Sequence, residues 1–275
     1  MPTDPAILVS RLRATAASLE NYWRVAHLAV PSEVQTLVTA IAEENSSDDL
    51  DRSVNKFVEL APSLMGSKEH ATGVGRVLVE GLYYLCRERC RTPDGQRVLA
   101  LCGAISQGVS DVSLLNGETT ELKAALMVIE DAVSAIEAYF RLPGFAFVDE
   151  AYLAKYGLLQ ALQLGFDATE AVARMLGNRV RADKMPGGKA VLVTRNIVAG
   201  HPIGGTLDGE SWHHFHDRGS AHDKQLMRVM SFSRRDPERW TGQTVSTDDL
   251  IRDGLMVIIA ALEASLASFS ARSSL

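Results

Sequence analysis

The string TRNIVAGHP at 194–202 places Arg195, Asn196 and His201 in an Arg-Asn-x4-His arrangement. Histidine can accept or donate a proton near neutral pH, and arginine is a fixed cation that grips a phosphate through two N–H groups. Cleavage of a phosphodiester needs both functions: proton transfer, and stabilisation of charge on the phosphate oxygens. Asn196 would orient its neighbours by hydrogen bonds. On a continuous α-helix the six-residue advance from Arg195 to His201 is about 600°, which puts them on different faces. Gly200 and Pro202 flank the histidine and predict that the helix ends near Ala199, freeing His201 to fold back. A second copy of the chain could also complete the pair.

The motif lies in an unusual stretch of a mildly acidic chain of formal net charge −6. Residues 174–239 hold twelve Lys and Arg against seven Asp and Glu, leaving −11 for the rest. Five of the seven histidines, His201, His213, His214, His216 and His222, fall in the same stretch. Arg179, Arg181, Lys184 and Lys189, with His214 and His216, are therefore candidate phosphate and substrate contacts, because basic side chains supply most sequence-independent affinity for nucleic acid. The competing interpretation is a solvated face laced with salt bridges. WHHFH at 212–216 with His222 also admits a metal site, since His214 and His216 share one strand face, but contact with substrate or solvent is the preferred reading. No metal and no cofactor is expected.

Other chemistries lack an anchor. GVG at 73–75 has no following Lys-Ser or Lys-Thr for a phosphate loop, and no G-x-S-x-G marks a serine hydrolase. Cys86 and Cys90 stand one helical turn apart, but no nearby ligands complete a four-donor site, so Cys86, Cys90 and Cys102 read as buried structural thiols. Few cysteines fit a reducing cytoplasm. The start MPTDPAILVSRLR lacks the pattern of a secretory signal, and the longest strongly apolar run, Leu255 to Leu262, falls short of the roughly 20 residues that span a bilayer. No membrane partner is expected.

The elements that must position these residues are mainly helices, with apolar positions at alternating steps of three and four. One helix follows Asp4 and Pro5, and another starts at Ser32. The acidic run EENSSDDLD at 43–51 reads as a solvated loop, followed by a helix that breaks at Pro62. A helix over about 70–91 carries Val74, Leu78, Leu82 and Leu85 on one face, and TPDG at 92–95 reads as a turn. Leu122, Leu126, Ile129, Val133, Ile136 and Phe140 make a clean stripe. The segment from Asp149 to Gly177 is apolar around much of its circumference and belongs in the middle of a bundle, and a last helix from Thr247 buries Ile251, Leu255, Ile258, Leu262, Leu266 and Phe269. Between them, 212–216 and 225–233 flank a polar segment and predict a short β-hairpin. The fold class is all-α with a small hairpin before the last helix. A boundary in 110–120 divides an N-terminal helical region, 1–115, from a C-terminal bundle, 116–275.

The Arg-Asn-x4-His string, preceded by KYGLLQALQLGFDATEAV and followed by a terminal amphipathic helix, resembles the HEPN superfamily (higher eukaryotes and prokaryotes nucleotide-binding). The resemblance covers about 118–270, and the first 110 residues match no family by inspection. It implies a helical bundle and, for many members, a metal-independent ribonuclease acting as a toxin or in antiviral defence, with Arg and His contributed by two protomers of a homodimer. It nominates Arg195, Asn196 and His201 as catalytic. Other members are non-catalytic modules that bind nucleic acid or a protein such as an antitoxin.

Overall fold

The computed structural model describes residues 5–26, 30–43, 46–65, 73–110, 116–142, 144–200, 203–207, 210–217, 222–233, 235–236 and 238–273. For 5, 73, 88, 110, 116–118, 199–200, 203–207, 210–216 and 272–273 it describes the backbone alone. The chain is mostly helical with a small antiparallel sheet. It forms two compact units, Pro2–Thr92 and Pro93–Leu275, each with its own apolar core.

The first unit holds α1 (Pro5–Val25), α2 (Ser32–Glu43), α3 (Ser47–Met65) and α4 (Gly73–Arg89). Cross-helix contacts set their directions. Thr39 donates to Glu20, Lys56 pairs with Glu33, Arg89 reaches Asp51 and Ser47, and Gly75 faces Tyr22, so successive helices run up, down, up and down. Leu12, Leu19, Ile41, Phe57 and Leu82 fill the centre. The acidic run is not a loop over 47–51: Asp48 and Asp49 form the first turn of α3, where carboxylates favour the positive end of the helix dipole. Nor does Pro62 break α3. It lies in the last turn, exposed, where it forfeits only its own N–H, while Ala61 and Leu64 on either side stay buried. On α4 the buried face is Val79, Leu82, Leu85 and Cys86, and Val74 is exposed.

The second unit contains α5 (Pro93–Ser110), α6 (Asn116–Arg141), α7 (Val148–Met175), α8 (Gly188–Arg195) and α9 (Thr247–Ser273). The division therefore falls at Thr92/Pro93 and not within 110–120. The reason is α5: Val98, Cys102, Ile105 and Val109 are buried in the same core as α6 and α9. TPDG is the start of that helix, with Pro93 at the first helical position and Asp94 in the first turn. Helices α5, α6, α7 and α9 close a ring in which each packs on two others. α7 begins at Val148, one residue before the expected cap, and ends at Gly177, φ +70, where Gly177 N–H reaches Arg174 O at 2.9 Å and Asn178 N–H reaches Ala173 O at 2.7 Å. α9 passes for a membrane span by length and composition, but its apolar residues Ile251, Leu255, Ile258 and Leu262 are core residues of this unit.

Leu162 meets Gly254 and Gly165 meets Ile258, so α7 and α9 run parallel. A parallel neighbour requires the chain to travel back along the bundle before α9 can begin, and residues 176–246 make that return. They form a 3₁₀ turn at Ala182–Lys184, α8, a π-helical turn at Asn196–Gly200, and strands β1 (Ile203–Leu207), β2 (Glu210–His216), β3 (Leu226–Ser233) and β4 (Trp240–Ser246). The expected hairpin is β2–β3, but it is the middle of a four-stranded antiparallel meander in the order β1-β2-β3-β4. β1, with two glycines in five residues, and β4, WTGQTVS, lack the apolar alternation that betrays a strand.

Candidate functional site

Arg195 closes α8, and the helical backbone continues through the π-turn to Gly200 before β1 starts at Ile203. The break thus falls where Gly200 and Pro202 predicted. His201 lies outside the described residues. The Arg195 guanidinium is half-buried; Nη1–H donates to Asn196 Oδ1 at 3.0 Å and Nη2–H to Gln160 Oε1 of α7 at 3.4 Å. Its Nε–H is shielded from solvent and has no acceptor among the described residues. No acidic side chain among the described residues pairs with it, so among them the guanidinium is held by neutral acceptors. Asn196 is exposed and does orient its neighbour.

The other basic candidates divide. Arg181 makes two bonds of 2.9 Å to Asp183, and Lys184 approaches the same carboxylate at 3.3 Å. Burial alone would raise the Asp183 pKa, but the hydrogen bonds and charges of Arg181 and Lys184 outweigh it and hold the carboxyl below its ordinary value. Arg228 stands 3.9 Å from Asp217. These residues belong to the salt-bridged face that was the competing expectation. Arg179 and Lys189 are exposed, and no ion pair engages either among the described residues.

The histidines separate as well. β2 runs alongside the π-turn, so the strand with His213, His214 and His216 adjoins the turn that Asn196 begins. Register sets His214 opposite Ser231 and His216 opposite Val229, both on the face β3 buries, whereas His213 pairs with Phe232 on the other face. His222 is exposed, its Nδ1 3.4 Å from Phe145 O. Among residues with described side chains, no three His, Cys, Asp or Glu groups converge on a metal position. Cys86 and Cys102 are buried free thiols, as expected, whereas Cys90 is only partly buried and its thiol donates to Asn55 Oδ1 at 3.0 Å. Burial and neighbouring Cys90 raise the Cys86 pKa, and burial with Glu130 pushes Cys102 up to about 12.

A polar clasp fixes the start of β3. Lys155 of α7 is fully buried, and its Nζ donates to Leu226 O at 2.7 Å. Lys224 Nζ donates to Phe140 O at 2.7 Å and Leu142 O at 2.6 Å, satisfying carbonyls at the end of α6. Lys224 O accepts from Tyr139 at 2.7 Å and Thr247 at 2.8 Å. Burial lowers the Lys155 pKa to about 8 against the opposing pull of Asp223, and burial raises that of Tyr139. Neither Lys155 nor Gln160 was a sequence candidate. The signal for Lys155 was available, because it falls on the Ala151, Leu158, Leu162 stripe, where a lysine must be buried with partners; an exposed glutamine such as Gln160 carries no such mark.

The site thus belongs to a mostly helical protein whose small antiparallel sheet holds a histidine-bearing strand against an arginine-bearing turn. Comparison of the chain with protein-family models, curated proteins and solved structures gives no match.

Proposed function

We propose that this chain is a cytoplasmic, HEPN-type ribonuclease that cleaves RNA without a metal, with Arg195 as phosphate-stabilising cation, Asn196 as its orienting partner and His201 as proton-transfer group. One observation carries the reading: Arg195 is half-buried and hydrogen-bonded, yet among the described residues its acceptors are neutral. A structural arginine is ordinarily matched by a carboxylate, whereas a phosphate-binding one must keep its charge and a free N–H. In this mechanism His201 takes the proton of a ribose 2′-hydroxyl as its oxygen attacks the adjacent phosphorus. The P–O5′ bond breaks, leaving a 2′,3′-cyclic phosphate, and the departing 5′-oxygen takes up a proton from water. Arg195 stabilises the oxygens on which charge accumulates. A homodimer supplies the composite pair, and a toxin–antitoxin or antiviral role suits such an activity.

A second reading, a non-catalytic module binding nucleic acid or a protein partner, draws on the contact of Arg195 with Gln160, which ties the motif into the bundle. The two separate in one experiment. Labelled RNA is incubated in EDTA with wild type, Arg195→Ala and His201→Ala. The ribonuclease reading expects each variant to lose about 10²- to 10⁴-fold in rate with its melting temperature near wild type. Cleavage by both variants at the wild-type rate refutes it. Unfolding of both shows that the segment is a structural network and favours the module.

A further inference from the structure

Beside the Arg195 guanidinium, α7 presents a face without charge. Leu153, Tyr156, Gly157, Gln160 and Leu164 succeed one another at helical spacing; Leu153 is 77% exposed and Tyr156 39% exposed, and a Cβ on Gly157 would meet nothing within 4 Å. Tyr156 stacks at a tilt on Tyr152, ring centroids 5.8 Å apart. It lies four residues before Gln160, which puts their Cβ atoms about 6 Å apart on one face. Gln160 is the residue that receives Arg195 Nη2–H. An exposed aromatic ring braced by a second ring therefore stands one helical turn from the glutamine that holds the Arg195 guanidinium, a cation that no acidic side chain among the described residues pairs.

We propose that this face binds a single-stranded nucleic acid, one unpaired base stacking on Tyr156 while the neighbouring phosphate engages Arg195. The inference rests on the reading of Arg195 as a phosphate-binding cation and names the substrate class of that site. A π-face beside a cation is the pairing that single strands exploit: every base can stack, and the phosphate that follows it lies about one base-to-phosphate length away. A duplex offers no free base face, because its bases stack on each other. Between Leu153 and Leu164 this face carries no acid, Asp149, Glu150 and Asp167 lying beyond its ends, which matters equally because a carboxylate there would repel the backbone. A protein partner could use Leu153 and Leu164, but would gain nothing from a guanidinium held by neutral acceptors.

The test uses fluorescence anisotropy of a labelled single-stranded 2′-O-methyl RNA oligonucleotide, which lacks the attacking hydroxyl and so is not cut, with the intact chain. Wild type is expected to bind the single strand more tightly than a duplex of the same sequence, and more tightly than an oligonucleotide of abasic ribose phosphates by roughly tenfold. Tyr156→Ala should lose about the same factor, Tyr156→Phe should retain binding because the ring remains, and Tyr84→Ala, an exposed tyrosine of the first unit, should change nothing. Equal binding by Tyr156→Ala, or of the duplex, overturns the inference while leaving cleavage by Arg195 and His201 standing. Binding with these signatures but no cleavage sustains the inference and removes the ribonuclease. No binding of any RNA removes both. If light scattering shows a wild-type dimer that Tyr156→Ala converts to monomer, with RNA affinity unchanged, the face is a protein interface and the inference is wrong. The abasic comparison needs no variant and so cannot be confounded by misfolding.

Discussion

In residues 5–89 four helices run alternately up and down, each packed beside the next. In residues 93–273 a ring of four helices is again the core, but α7 and α9 point the same way and the chain between them must come back along the bundle. An antiparallel neighbour costs a turn; a parallel one costs a long crossover. The difference decides where chemistry can sit. Among the described residues the first unit is almost wholly helix, and several of its polar contacts are surface pairs such as Lys56–Glu33. The crossover has α8, the π-turn, the sheet and nearly all the surplus positive charge. Its backbone groups still need partners, and sheet pairing plus the Lys155, Lys224, Tyr139 and Thr247 clasp provides them.

If the crossover is pinned this tightly, its most confined glycine should be its most sensitive position. A Cβ on Gly188 would sit 1.9 Å from the Ala182 carbonyl oxygen, and backbone cannot rotate away as a side chain can. Gly188→Ala is expected to destabilise the second unit by about 3 kcal/mol or more, the upper range for overpacking. Trp23, in the first unit's core, reports on that unit alone in a background with Trp212→Phe and Trp240→Phe. Its transition should stay in place while helical circular dichroism falls in a separate, earlier step. A single joint transition would show that the two cores are not separate folding units.

The clasp gives the units different pH responses. The folded pKa of Lys155, about 8, is below the unfolded value of 10.5, so the folded state disfavours the charged form. Below pH 8 both states bind the proton and the penalty is constant. Between about 8 and 10.5 the unfolded chain holds a proton that the folded chain has released, and stability rises by at most about 1.4 kcal/mol per pH unit. The raised thiols act oppositely: Cys102 in the second unit and Cys86 in the first withdraw stability as pH climbs above their ordinary 9.0. The second unit should therefore gain stability from pH 8 to 9 in denaturant titrations, and the first should not. Lys155→Met should remove the gain. An unchanged slope in that variant would show that Lys155 does not titrate in this window.

What was legible in the chain follows the same division. Helices α6, α7 and α9 bury long stripes, so Leu122–Ile136 and Ile251–Leu262 announced themselves by period alone. The hairpin showed because β3 alternates on a half-buried surface, whereas β1 and β4, rich in Gly, Thr and Gln, reveal strands only through pairing with their neighbours. Turn signals misled where helix ends use the same residues: Pro93 starts a helix, and Asp48 and Asp49 begin another. Of the candidate site, Arg195 and Asn196 are nominated by their chemistry and spacing in the sequence. Gln160 could not be, since its contact spans 35 positions and is made by folding. The adjacency of β2 to the π-turn is likewise a property of the crossover path and not of any local pattern.

The smallest effect is expected from the same glycine-to-alanine change in the first unit, where the neighbour differs in kind. A Cβ on Gly75 would lie 2.6 Å from a Tyr22 ring carbon, as severe a clash on paper as several in the second unit. Tyr22, however, is a half-buried side chain on the rim of the α1–α4 contact and can swing by a rotamer adjustment that the Ala182 carbonyl cannot make. Gly75 also lies inside a helix, where alanine is favoured over glycine by about 0.5–1 kcal/mol because less backbone freedom is lost on folding. The off-rotamer strain on Tyr22 is of similar size, about 0.5–1.5 kcal/mol, and opposite sign. Gly75→Ala should consequently move the Trp23 transition by less than about 1 kcal/mol, measured as a midpoint change at constant m-value. A loss as large as that expected for Gly188→Ala would mean that Tyr22 is locked in place, and that the simple up-and-down bundle is no more forgiving than the crossover it is compared with.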